Sequence, residues 1–156
     1  MCIVIDANTI ACVFEEDCKK HNDFRPVKNW IYEGGGKMVV GGTKFKSEIY
    51  GMRKYAKVFK LLKDARKLCE IVDSEVDNKE QAILKMTAMT NCNDQHVIAL
   101  ISVSGCRLVC SEDKASFKYL KDCRFYPKGK RPKIYSSKAN KKLLTSNFIV
   151  KLSSLV

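Results

Sequence analysis

An uninterrupted apolar run that ends at an aspartate sets the strongest limit on the fold. The run is CIVI at positions 2–5, and Asp6 follows it directly. A strand with one solvated face alternates apolar and polar residues, whereas a continuous apolar run is typical of a strand buried on both faces. Residues 107–110, RLVC, are predicted to form a second strand, which leads into Ser111. Both segments predict strands of a parallel sheet.

Segments with helical periodicity separate the predicted strands. Apolar residues from Phe45 to Leu62 recur at steps of three and four, with lysines between them. A further strand is predicted at residues 69–72. The predicted helices are 9–20, 43–68 (one helix or a broken pair), 77–89, 97–104 and 114–120. This alternation predicts an α/β fold with a central, mainly parallel sheet.

Two segments depart from this alternation. In residues 24–42, the apolar triplets WIY and MVV flank Gly34-Gly35-Gly36, a pattern that predicts a small hairpin or flap inserted into the domain. Residues 122–156 are rich in Lys, Pro and Gly, which is typical of a loop or linker, but apolar residues such as Ile134 predict that part of it packs on the body. We therefore expect one domain, 1–121, and a basic C-terminal extension, 122–156.

The positive charge is concentrated near the C-terminus. The chain of 156 residues has a net charge of +12, and residues 118–156 hold 11 Lys and Arg against one acid, Asp122. This asymmetry favours a polyanionic partner, usually a nucleic acid, over a merely solubilising tail. The candidate nucleic-acid-binding residues are Lys44, Lys46, Lys128, Lys130, Arg131 and Lys133.

The cysteines and the apolar segments indicate a cytoplasmic protein. The eight cysteines form no C-x-x-C pair and only two histidines accompany them, so we expect reduced thiols and not a zinc finger. No segment reaches the roughly 20 apolar residues that a membrane span needs. Because the N-terminus lacks a basic region and a cleavage site, we expect neither a secretory signal nor membrane association.

Four acidic residues are expected at or near the carboxyl ends of the predicted strands. Asp6 and Asp113 follow predicted strands, Asp94 opens a predicted helix, and Glu48 lies in the first turns of the helix after Gly41-Gly42. Ligands of open α/β sheets bind at the carboxyl ends of the strands. Carboxylates gathered there repel one another, and a hard divalent cation such as Mg²⁺ relieves the repulsion.

Each acid also has a structural interpretation. Asp6, Asp94 and Asp113 each precede a predicted helix, where an aspartate commonly caps the first turn. Glu48 has Lys44 at helical spacing and Lys54 nearby, so it also fits an exposed helix residue in an ion pair. The hypothesis of a metal site therefore depends on all four acids together.

Two blocks of sequence resemble the PIN domain. The first is VIDANTI at positions 4–10, with an Asp at the end of a strand and an Asn two residues later. The second is NDQHVIALISVSGCRLVCSEDKASF at 93–117, which has Asp-x-His-apolar-x-Ala-Leu, then Ser-Gly, then Ser-x-Asp. The segment GGTKFKSEI at 41–49 resembles the part of the family that supplies an intervening Glu.

The resemblance implies a three-layer α/β/α sandwich and a metal-dependent endoribonuclease. Asp6, Glu48, Asp94 and Asp113 would be the catalytic acids that bind Mg²⁺ or Mn²⁺. Asn8 and Ser111 would orient carboxylates or water, and Glu112 would assist Asp113. Toxin-type members commonly dimerise and are silenced by a partner, so the resemblance also implies a homodimer and an inhibitory protein partner. Its biological setting would be a toxin or a defence effector.

Three other protein classes share features with this sequence. A non-catalytic nucleic-acid-binding module of the same fold would keep the basic surface and lose the acids, yet all four acids are present. A haloacid-dehalogenase-like phosphatase needs a second Asp two residues after the first, where this chain has Asn8. A phosphoacceptor domain needs an acidic pair ahead of its Asp, and none is evident.

Overall fold

Five short strands make up the centre of the molecule. The computed structural model describes residues 1–144. The strands are β1 (Cys2–Ile5), β2 (Lys37–Gly41), β3 (Leu68–Ile71), β4 (Leu108–Cys110) and β5 (Lys133–Tyr135). Their side chains are mostly apolar, and those of Ile3, Val4 and Ile5 are fully buried. The expected continuous burial of CIVI is thus confirmed beyond its first residue.

The strands form one all-parallel sheet in the order β3-β2-β1-β4-β5. The chain proceeds from β1 outward through β2 to β3 and then returns to the other side of β1 for β4. The strand order therefore reverses between β1 and β4, and such a reversal opens a crevice at the carboxyl ends of the two strands. The predicted α/β class with a central parallel sheet in a three-layer α/β/α sandwich is confirmed.

Helices connect the strands and cover the sheet. The α-helices are α1 (Ile10–Phe14), α2 (His21–Tyr32), α3 (Thr43–Tyr50), α4 (Ala56–Asp64), α5 (Asp73–Met86), α6 (Gln95–Ser104) and α7 (Phe117–Leu120). Short 3-10 turns accompany them at Ala7–Thr9, Arg53–Tyr55, Lys114–Ser116, Cys123–Phe125 and Lys138–Leu144. None of the helices over residues 1–144 has the length and apolarity that a membrane crossing requires.

Helix α6 is the most buried of these helices. Every residue from Gln95 to Ile101 is buried, because α6 packs against β1, β2 and β3 on one side and against α5 on the other. It ends at Gly105, whose φ of +69° lies in the left-handed region where glycine is favoured. The predicted helix over 97–104 and its glycine stop are confirmed.

The hairpin predicted for residues 24–42 is wrong. Residues 21–32 form helix α2, with Pro26 inside it, and residues 37–41 form β2, which pairs in parallel with both β1 and β3. Gly34, Gly35 and Gly36 belong to the turn between them. MVV is buried as Met38, Val39 and Val40, because β2 is an interior strand of the sheet.

Smaller differences concern element ends and the C-terminal extension. The segment 43–68 is indeed a broken pair, α3 and α4, and the predicted helix 9–20 stops at Phe14. Within the extension, residues 133–135 form the edge strand β5, with Tyr135 fully buried, so the expected packing on the body is confirmed. Residues 145–156 of the extension lie outside the described part of the chain.

Candidate active site

A polar cavity opens where the strand order reverses. Asp6 follows β1 and Ser111 follows β4, and the backbone N–H of Asp6 donates to Cys110 O at 3.0 Å, which holds the two strand ends together. The cavity has a volume of about 700 Å³. It is lined by Asp6, Ala7, Asn8, Lys44, Glu48, Met52, Asn91, Asn93, Asp94, His96, Asp113, Ala115, Ser116 and Tyr119. All four predicted acids therefore line one cavity, which we call the acid cavity.

Asp6 is the most buried acid of the cavity. Asp6 is 5% exposed, and its carboxylate oxygen Oδ2 accepts a hydrogen bond from Ser111 Oγ at 3.2 Å. The side chain does not cap the following turn, contrary to its structural interpretation. Burial, followed by repulsion from Asp94, raises the pKa of Asp6 to about 6. A nearby cation favours the ionised form of such a carboxylate.

Asp94 has the position of a cap without its hydrogen bond. It precedes α6, but no backbone N–H of the first turn donates to its carboxylate. Burial raises its pKa, and repulsion from Asp113 and Glu48 adds to the rise, against the attraction of His96 and Lys44. The carboxylate thus faces the other acids and is not consumed by helix capping.

Glu48 reaches the cavity through a contact with a buried histidine. His96 Nε2 lies 2.8 Å from Glu48 Oε2, and because an ionised carboxylate only accepts, the ring nitrogen is the donor. His96 is 4% exposed, and its Nδ1 has no hydrogen-bond partner among residues 1–144. The predicted pairing of Glu48 with Lys44 or Lys54 does not form, since Lys54 pairs with Glu15. His96, which belongs to helix α6, orients the Glu48 carboxylate instead.

Asp113 and Ser111 connect the site to β4. The Asp113 carboxylate accepts from Ala115 N at 3.1 Å, so here the capping interpretation is confirmed, although the residue also lines the cavity. Ser111 Oγ accepts from Asp113 N and donates to Asp6, which links the two strand ends. Glu112 is absent from the cavity lining and pairs with Lys20 at 2.8 Å, so it does not assist Asp113.

Helix α3, which supplies Glu48 and Lys44, is anchored by two acids of α5. Asp73 accepts from Gly42 N at 3.0 Å, and Asp77 accepts from Thr43 N at 2.8 Å and from Thr43 Oγ1 at 2.6 Å. Gly42 has a φ of +85°, and a Cβ there would lie 2.6 Å from Val76 Cγ1. The glycine therefore permits the close approach that positions α3 over the carboxyl edge of the sheet.

The predicted basic residues divide between the two edges of the sheet. Lys44 lines the acid cavity, whereas Lys46 pairs with Asp73 at 2.9 Å. Arg131 and Lys133 line a different cavity, with Cys2 and Leu108, at the amino ends of the strands. Lys128 lines a third cavity with Arg131. Lys130, between them in sequence, is exposed.

The donors of the acid cavity suit a hard cation better than a soft one. Asp6, Glu48, Asp94 and Asp113 offer carboxylate oxygens, which Mg²⁺ and Mn²⁺ prefer, and no cysteine lines the cavity. Over residues 1–144, no three His, Cys, Asp or Glu side chains are grouped closely enough to enclose a metal ion. Mg²⁺ fits this arrangement, because it is commonly bound through one or two carboxylates and retains water.

Sequence reasoning missed part of the lining. Asn91, Asn93 and Tyr119 contribute side chains, and only their proximity to Asp94 and Asp113 in sequence signalled a role. The contact between His96 and Glu48 was also missed, since the two residues are far apart in the sequence. No protein-family model, curated protein or solved structure matches this chain.

Proposed function

We propose that the acid cavity hydrolyses RNA phosphodiester bonds with the help of Mg²⁺ or Mn²⁺. The observation that carries the proposal is the convergence of four carboxylates in one cavity, where Asp6 is buried, Asp94 is half-buried, and neither carboxylate caps the helix that follows it. Retaining a raised pKa for Asp6 costs stability, and such perturbed groups cluster at functional sites. The motifs that resemble the PIN domain support the same reaction.

Asp6 and Asp94 are the residues that would hold the ion, with Asp113 and Glu48 beside them. A bound divalent ion supplies Lewis-acid activation of water and neutralises charge on the phosphate. Ser116 and His96 both line the cavity, but Ser116 Oγ donates to Asp113 O and His96 Nε2 contacts Glu48, so they do not form a nucleophile pair. Direct hydrolysis without a covalent enzyme intermediate therefore suits the residues present.

The remaining side chains bind and orient. Lys44, on the cavity wall, is placed to contact a phosphate of the bound strand. Ser111 fixes one oxygen of Asp6, and Asn8, which is exposed at the cavity mouth, offers an amide to water or phosphate. His96 positions Glu48. An inhibitory protein partner and a homodimer stay predictions of the resemblance.

The decisive experiment compares two Asp→Asn variants. Cleavage of a labelled single-stranded RNA is measured in EDTA, Mg²⁺ and Mn²⁺ for the unmodified protein, for Asp6→Asn and for Asp17→Asn. Asp17 is an exposed acid outside the cavity lining, so its variant is the matched control. We expect metal-dependent cleavage that only Asp6→Asn abolishes, and a rise in Tm with Mg²⁺ that Asp6→Asn loses. Cleavage by Asp6→Asn at full rate would remove the site assignment.

A non-catalytic nucleic-acid-binding module is the second candidate. It is favoured by the lack of a closed group of three metal-binding side chains in residues 1–144. On this interpretation, RNA binds with an affinity that falls as salt rises, and neither metal produces cleavage by any variant. The same assay therefore separates the two candidates.

A further inference from the structure

Cations stand at the start of four of the five strands. Lys37 and Lys133 are the first residues of β2 and β5, and Lys67 and Arg107 immediately precede β3 and β4. Because all five strands are parallel, these residues lie along one edge of the sheet, the edge opposite the acid cavity. We call this the amino-edge surface. It consists of Lys37, Lys67, Arg107, Lys128, Arg131 and Lys133.

The charges of the amino-edge surface are not neutralised within the described chain. Over residues 1–144, none of its six cations lies within ion-pair distance of a carboxylate, although Lys20, Lys46, Lys54 and Arg124 elsewhere do form such pairs. Arg107 donates to Gly129 O at 2.6 Å and Lys67 to Gly34 O at 2.6 Å, and these carbonyl contacts leave the positive charge in place. Like charges held together repel, so the cluster favours an anionic ligand.

A cavity with an apolar floor opens in this surface. Its volume is about 690 Å³, and it lies at the starts of β1, β4 and β5. Cys2, Leu108 and Leu143 provide the apolar part, whereas Arg107, Arg131, Lys133 and Lys142 provide the cationic part. Among residues 1–144, no acidic residue lines the cavity. A second cavity of about 510 Å³ shares Arg131 and adds Lys128, which extends the cationic strip.

We propose that the amino-edge surface binds the phosphate backbone of a single-stranded nucleic acid, with an unpaired base against the apolar floor. A row of separated cations matches a ligand with repeating charges, and the floor accommodates one apolar group between them. An anionic membrane is the other ligand with repeated charges. Membrane surfaces are usually bound through exposed large apolar side chains, and among residues 1–144 only Met1 of that class lines this cavity.

This binding surface does not depend on the nuclease proposal. It lies on the opposite edge of the sheet, contains none of the four acids and needs no divalent ion. Binding measured in EDTA, where the proposed hydrolysis does not occur, therefore tests the surface apart from cleavage. A failure of cleavage and a failure of binding are separate results.

The test removes three surface cations whose side chains make no hydrogen bond in the described structure. The full-length variant Lys37→Gln/Lys128→Gln/Lys133→Gln is compared with Lys19→Gln/Lys57→Gln/Lys85→Gln, whose residues are exposed and line neither cavity. Both variants lose the same charge. Binding of a fluorescent single-stranded RNA is measured in EDTA over a range of salt concentrations, beside vesicles rich in phosphatidylserine.

We expect the amino-edge variant alone to lose salt-dependent affinity. Each lost contact with single-stranded nucleic acid lowers the slope of log K against log salt by about 0.7, so three contacts lower it by about 2. Equal losses of affinity in the two variants would show that only the net charge of the protein matters, and would overturn the proposal. A loss confined to vesicles would assign the surface to membranes and also overturn it.

A footprint on the unmodified protein gives an independent result. Cys2 is partly exposed in the amino-edge cavity, whereas Cys18 is partly exposed elsewhere. We expect saturating RNA to slow alkylation of Cys2 several-fold and to leave Cys18 unchanged, with mass spectrometry reporting each site. Unchanged alkylation of Cys2 at saturation would contradict the proposal, whatever the variants show.

Discussion

The sequence predicts which individual acids lie in the cavity, but it does not predict their hydrogen-bond and ion-pair partners. Asp6 and Asp113 follow apolar segments that predict strands. Because parallel strands end at the same edge of a sheet, the two acids are expected to lie there together. The contact between His96 and Glu48 joins residues 48 positions apart, and no local pattern specifies it. Glu112, adjacent to Asp113 in sequence, points elsewhere because Lys20 binds it.

Burial of Asp6 predicts a stability that falls as pH rises. Its pKa is raised from 3.8 to about 6, so between these values the unfolded chain releases the proton while the folded chain retains it. The free energy of unfolding therefore decreases with pH in this window, by up to about 3 kcal/mol, and is constant above it. Urea denaturation in EDTA should show Asp6→Asn to be the more stable protein at pH 7.5.

The same comparison near pH 3.5 should show almost none of this advantage, because Asp6 is protonated in the folded state there and mostly protonated in the unfolded chain. Asp17→Asn is the control, and we expect its stability to follow that of the unmodified protein at both pH values. A less stable Asp6→Asn at pH 7.5 would mean that the ionised carboxylate is favoured by folding, contrary to its buried position.

Replacing His96 by Phe tests its role as a positioning residue. Phe fills a similar volume but cannot donate to Glu48 Oε2. We expect cleavage to fall about 10-fold or more, as for other groups that orient metal-binding side chains. Binding of RNA in EDTA should not change. Stability should change little, since the loss of the Nε2 hydrogen bond to Glu48 is offset by the removal of a buried Nδ1 that has no partner in residues 1–144.

A double-mutant cycle distinguishes positioning from packing. If His96 acts through Glu48, then His96→Phe/Glu48→Gln cleaves no more slowly than Glu48→Gln alone. Independent, additive losses from the two substitutions would show that His96 acts by another route.

At the scale of elements, the hairpin prediction for residues 24–42 was wrong because local sequence preference and sheet topology disagree there. Pro26 and the bulky triplet WIY argue against a helix, and Gly34 to Gly36 argue for a tight hairpin. The chain nevertheless forms α2 and then β2, because β2 is buried between β1 and β3 and Val27 and Ile31 of α2 are buried in the core. Strand β5 has only three residues, too few for a periodic signal.

Substitution of Gly42 tests how α3 is held. Gly42→Ala places a Cβ 2.6 Å from Val76 Cγ1 at a φ of +85°, a left-handed conformation that alanine disfavours. We expect the free energy of unfolding to fall by about 2–4 kcal/mol, from the backbone cost and the overpacking together. Chemical denaturation measures the change. Cleavage should also weaken, since α3 supplies Glu48 and Lys44.

Gly35→Ala is the matched control for this prediction. Gly35 lies in an exposed turn with no atom within 4 Å of the added Cβ, so its substitution should change stability by no more than about 0.5 kcal/mol. Comparable losses in both variants would mean that the φ and the close approach at Gly42 do not limit stability.

The whole molecule separates its charges along the strand direction. Acids gather at the carboxyl edge of the sheet and unpaired cations at the amino edge, roughly 13–17 Å apart for strands of four or five residues. The distribution of charge over the molecule is therefore more informative about binding than its net charge. The basic residues that the sequence placed in a tail include β5 and the loop before it, so the fold brings them to the start of the sheet.

This separation predicts that substrate length matters. A strand long enough to contact both edges gains from two attachments, whereas a dinucleotide occupies only the acid cavity. We expect Lys37→Gln/Lys128→Gln/Lys133→Gln to raise KM for a long RNA about 10-fold and to leave KM for the dinucleotide unchanged. Steady-state kinetics with both substrates measures the effect. An equal rise for both lengths would place these lysines at the acid cavity.

The opposed edges also give the protein a permanent electric dipole along its strands. On a negatively charged support, such as a cation-exchange bead, such a molecule adsorbs with one preferred face. The amino edge meets the bead, and the mouth of the acid cavity points away from it into the liquid. Adsorbed molecules therefore share a common orientation, with their carboxylates open to whatever flows past.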